Sequence, residues 1–178
     1  MNLQKEARQS AKVPSSVAPK VLGDGRRSIT VRKILVPTDF SPASRKSLSY
    51  ALRFAEGLNS EITLLHVLEP ETSLTLAARQ ATAAFSEEEL ADAEEGLRDL
   101  TDSVKATGGT GTKSILRTGV PTHEIVEAAK ELDVDLIVIA THGFTGWKHF
   151  AIGSTAERVA RAAPCPVLVV REKEHDFI

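Results

Sequence analysis

Apolar residues follow two rhythms along this chain of 178 residues. The first is the short continuous run. It occurs at Ile34-Leu35-Val36 within 32–37, in ITLLHV within 61–67, at 113–116, at 135–140 and at 167–171. Runs of this length, bounded by Pro, Gly, Asp and Ser, predict strands buried on both faces. The second rhythm is helical. Leu48, Ala51, Leu52 and Ala55 form one stripe, and Leu90, Ala93, Leu97, Leu100 and Val104 a second. Ile125, Ala128, Ala129 and Leu132 form a third, and Ala156, Val159, Ala160 and Ala163 a fourth. Each spacing puts one apolar face toward a core. Strand and helix alternate, with crossovers long enough for right-handed βαβ units. The expected fold is therefore α/β: a single domain with a five-stranded parallel sheet and helices on both faces.

Local signals sharpen the boundaries. Ser41-Pro42 reads as an N-cap followed by a first helical residue. Ser86 to Glu89 reads as a capping box opening the second helix. Pro164-Cys165-Pro166 ends the last helix. The stretch 69–85 is long for a plain loop, and a lid, a short helix and a mobile flap all fit it. Residues 1–31 mix Lys and Arg with Ser, Pro and Gly and show little periodicity, so they are expected to be a flexible extension. The folded domain is expected over 32–172, with 173–178 as a tail.

Composition removes several function classes. With 42% hydrophobic and 26% charged residues, the chain is an ordinary globular one, and its apolar content is mostly aliphatic. A net charge of −2 supplies no basic field for general nucleic-acid binding. One cysteine rules out an internal disulfide and any multi-cysteine zinc site. No apolar run approaches the roughly 18 residues of a membrane span. No metal-ligand pair and no catalytic nucleophile pattern stands out. No Gly-Lys-[Ser/Thr] phosphate loop follows the first strand.

Chemistry gathers instead in DLIVIATHGFTGWKHFAIGS, residues 135–154. A buried strand here runs into a glycine-bearing loop and re-enters at a helix N-terminus. Gly143 and Gly153 allow backbone to approach a ligand closely. Ser154 and the free N–H groups of the next turn suit anionic oxygens.

These residues, with KILVPTDFSPASRKSLSYALRFA, ITLLHV and the ending APCPVLVV, resemble the universal stress protein family. The resemblance runs from about Arg32 to Arg171. The nucleotide-binding branch of that family carries G-x2-G-x9-G-[ST] after its fourth strand. Gly143, Gly153 and Ser154 match the later positions, while Ala140 stands where the first glycine would be. The resemblance implies a Rossmann-like sheet of strand order 3-2-1-4-5, similar to the adenine nucleotide alpha hydrolases. That order opens a crevice between the ends of the first and fourth strands. It further implies that Asp39 accepts from a ribose hydroxyl or the adenine amine, and that Pro37 and Thr38 offer backbone contacts to the base. Val67 would supply an apolar wall. Gly143, Gly153, Ser154 and Thr155 would hold the phosphates, Ala140 leaves room for close approach, and His142 either touches phosphate or only shapes the loop. His66 is expected to be a packed strand residue.

The function so implied is an ATP-binding regulatory protein of stress responses, with Mg²⁺ as a candidate counter-ion. It would be cytoplasmic and homodimeric through the fifth strand, would be read by a regulatory partner, and would engage neither nucleic acid nor membrane. Two other readings stay open. One is a slow ATP hydrolase or an autophosphorylating protein using Ser154 or Thr155. The other is a dimeric interaction module without nucleotide.

Overall fold

The structure, a computed structural model, describes residues 30–70, 85–107, 111–141, 154–172 and 175. Its strands are β1 (Lys33–Pro37), β2 (Glu61–Leu68), β3 (Lys113–Thr118), β4 (Leu136–Ala140) and β5 (Val167–Val170). Its helices are α1 (Pro42–Leu58), α2 (Glu87–Ala106), α3 (Pro121–Glu131) and α4 (Ser154–Ala162). All pairings are parallel, and the sheet order is β3-β2-β1-β4-β5. Fold class and strand order agree with the expectation.

Alternation along the central strands divides the core into two layers. Ile34, Val36, Ile62, Leu64 and Val138 face α1 and α2, meeting Leu48, Ala51, Leu97 and Val104. Leu35, Leu65, Ile137 and Ile139 face α3 and α4, meeting Ile125, Ala128, Ala129, Ala156 and Val159. The first two crossovers thus cover one face and the last two the other. This placement follows from right-handed connections that travel outward from β1 to β3, then jump back to β4.

Caps start the first two helices where the sequence signals them. The Ser41 hydroxyl accepts from the Ser44 amide at 3.2 Å, with Pro42 in the first turn. Ser86 Oγ accepts from the Glu89 amide at 3.1 Å, and Glu89 Oε2 accepts from the Ser86 amide at 2.8 Å. The β3–α3 turn needs Gly119, whose φ is 142°. A Cβ there would lie 3.0 Å from Glu124 Oε1. Glu124 in turn pairs with Arg117 on β3 at 3.6 Å, which ties the first turn of α3 to the sheet.

The two outer strands differ. β3 shows Lys113, Ser114, Arg117 and Thr118 among its six residues. β5 is four apolar residues, VLVV, and among the described elements only β4 pairs with it.

Candidate functional site

The sheet divides between β1 and β4. Their register pairs Ile34 with Leu136 and Leu35 with Ile137, and goes no further. On its other side β1 stays paired with β2 through Pro37, and the Thr38 amide still donates to the Leu65 carbonyl at 2.8 Å. β4 stays paired with β5 through Ala140, and the Thr141 amide donates to the Val170 carbonyl at 2.9 Å. Each strand therefore follows its outer neighbour, and the two part toward their carboxyl ends. Open α/β sheets bind ligands at this kind of switch point.

Pro37, Thr38 and Asp39 form one lip of this parting, and Ala140 and Thr141 form the other. Thr38 is buried, and its groups are largely committed. Its amide bonds Leu65, its carbonyl accepts from His66 Nδ1 at 2.8 Å, and its hydroxyl donates to Ser44 Oγ at 3.1 Å. The same hydroxyl oxygen accepts the Phe40 amide at 3.1 Å. A backbone contact from Thr38 to a base is therefore restricted to the second lone pair of its carbonyl. Asp39 is half-exposed at the lip, and its Oδ1 accepts the Ser41 amide at 3.1 Å, an Asx turn leading into α1.

Val67 sits near the end of β2, packed against the layer that faces α3 and α4. Ser154 and Thr155 open α4, whose N-terminal amides favour negative charge. His142, Gly143 and Gly153 lie outside the described residues, as do most of the connection after β2 and residues 1–29. Cys165 is half-buried, and that burial pushes its thiol pKa up, which suits a packing residue rather than a nucleophile. Among the described residues no group of His, Cys, Asp and Glu could hold a metal ion, and no helix is long and apolar enough to cross a membrane.

Three residues at this lip exceed what the sequence suggests. Phe40 adopts φ 62°, His66 reaches from β2 to the Thr38 carbonyl, and Gly96 of α2 lies against the Phe40 ring. The usable signal was Gly96, a glycine inside an otherwise strong helix, which commonly marks a close approach. A separate groove of about 610 Å³ lies at the opposite end of the sheet, lined by Ser49, Leu52, Asn59, Ser60 and Thr107 among others. It contains none of the expected site residues.

The universal stress protein family model matches residues 30–171, the whole of the sheet and its helices. The chain belongs to the universal stress protein family. Universal stress protein MJ0531 of Methanocaldococcus jannaschii is 33% identical over 145 residues, covering 82% of this chain and 85% of that protein. The universal stress protein UspA from Lactobacillus plantarum superposes with a TM-score of 0.71 at 30% identity, covering 81% of this chain and all of that one. Two more distant universal stress proteins share the fold at 23% identity. One was solved in complex with cAMP, with a TM-score of 0.61; the other, from Archaeoglobus fulgidus, was solved in complex with dAMP, with a TM-score of 0.60.

Proposed function

We propose that this universal stress protein binds ATP in the crevice between β1 and β4, and that occupancy of the site is its regulatory signal. The observation that carries the reading is the parting of β1 and β4 beyond Leu35 and Ile137, on the way to Asp39 and Ala140. The glycine spacing from Gly143 to Gly153-Ser154 and the adenine nucleotides bound by two family members support it.

In this reading the Asp39 carboxylate accepts from the ribose or the adenine amine. The base lies along Pro37 and Thr38, with Val67 as an apolar wall. The phosphates lie against Ala140, His142 and Gly143 and against Gly153, Ser154 and Thr155 at the start of α4. That placement matches negative charge with the helix N-terminus. Mg²⁺ would enter with the phosphates. The protein acts in the cytoplasm as a homodimer joined through β5, whose apolar edge needs covering.

Thermal denaturation with and without Mg·ATP tests the reading. A ligand at 100 times its Kd adds about 2.7 kcal/mol of stability, enough for a rise of several degrees in Tm. An unmoved Tm at millimolar nucleotide overturns it. Release of ADP no faster than the solution background separates a binding protein from a hydrolase.

A further inference from the structure

We propose that His66, Phe40 and Gly96 form a positioning unit that holds Asp39 in its nucleotide-binding orientation, so that the docking of α2 sets nucleotide affinity. The inference rests on the nucleotide reading above. None of the three residues is assigned there to touch the ligand.

The two neighbours of Asp39 are both held by one side chain. His66 Nδ1 lies 2.8 Å from the Thr38 carbonyl. A carbonyl oxygen only accepts, so the proton sits on Nδ1. The same imidazole packs on Phe40, with ring centroids 4.5 Å apart and planes tilted by 33°. Asp39 is thus bracketed: the residue before it by a hydrogen bond, the residue after it by a ring contact.

Phe40 needs this support. Its φ of 62° is a left-handed conformation that a bulky L-residue avoids. Its amide is satisfied by Thr38 Oγ1 at 3.1 Å, and the next amide, of Ser41, by Asp39 Oδ1 at 3.1 Å. Its ring reaches α2, where a Cβ on Gly96 would stand 3.1 Å from Cζ and 3.3 Å from both Cε atoms. Glycine at 96 therefore makes room for the ring. The ring fixes the turn, and the turn carries Asp39. Strain of this kind persists only where the surroundings hold it, and here they do so next to the proposed ligand.

Calorimetric titration of the full chain with Mg·ATP tests the unit. His66→Leu is expected to weaken binding by about tenfold or more, while His66→Asn, which keeps an N–H near the Nδ1 position but loses the ring, is expected to fall between it and wild type. In an Asp39→Asn background, His66→Leu is expected to cost no more than about twofold further, because its effect passes through the carboxylate. Gly96→Ala is the second probe. Its gain in helix propensity offsets the crowding of the Phe40 ring by the new Cβ, so melting should move little while ATP binding weakens. A structural role alone would move melting and binding together.

Equal losses from His66→Leu in both backgrounds overturn the proposal. So does wild-type affinity in a folded Gly96→Ala protein, which decides the matter if His66→Leu does not fold. Tight binding by wild type with undiminished variants removes the positioning unit and leaves the nucleotide site standing. Absence of ATP binding by wild type removes both.

Discussion

Two aspartates do different work at opposite ends of the sheet. Asp135 stands just before β4, and its Oδ2 accepts the amides of Arg32 at 2.7 Å and Lys33 at 3.0 Å. Those two backbone hydrogen bonds hold its carboxyl below the ordinary aspartate range. A depressed carboxyl stabilises the fold above its unfolded pKa, and that contribution is lost as pH falls through the folded value. Asp135→Ala should therefore cost about 1 kcal/mol at pH 7, the figure being modest because the site is partly exposed. The gap from wild type should close as pH drops below the ordinary aspartate range, as read by urea unfolding at neutral and acid pH. Asp39, at the crevice, is the residue on which binding should turn. Asp39→Ala is expected to weaken Mg·ATP by about tenfold or more in calorimetric titration, the loss typical of a charge-assisted hydrogen bond. Asp39 was singled out in the sequence through the family resemblance, and its Asx turn into α1 is what the structure adds. The left-handed Phe40 was not legible, since nothing local marks a phenylalanine for positive φ; only its contacts with His66 and Gly96 explain it.

At the scale of elements, the hydrophobic rhythms located every strand and helix among the described residues, because each buried face must be apolar wherever it meets the core. Ends were less legible. The third strand continues past Leu116 to Thr118, pairing Arg117 with Val67 and Thr118 with Leu68. An outer strand keeps its ladder without apolar side chains, so Arg117 and Thr118 gave no sign of it. The capping box of α2 was readable because both partners lie within four residues. Ser86→Ala should cost about 1 kcal/mol in urea unfolding, through loss of the amide partner at the helix start. Magnitudes separate ornament from support. Exposed pairs such as Arg53–Glu56 and Arg161–Glu157 are worth a few tenths of a kcal/mol each. Truncating fully buried Leu64 to Ala should cost about 2–5 kcal/mol.

For the molecule as a whole, the α/β class followed from periodicity, but the strand order did not. Periodicity says which residues are buried and not which strand lies beside which. The order came from the family resemblance, and the parting of β1 from β4 became visible only in the pairings. The proposed assembly has its own check. Light scattering on the eluting protein should give about twice the chain mass of 19.2 kDa, and a single-chain mass at all concentrations would overturn the homodimer.

The unlike borders of the sheet set how far such joining could run. Charge guards the β3 border, where Lys113 and Arg117 discourage another strand from laying itself alongside. Among the described residues, β5 itself carries no such charge. Two molecules meeting along their unguarded borders would leave only guarded ones facing outward. Growth would end there, and a sheet with one apolar edge would be kept from seeding fibres.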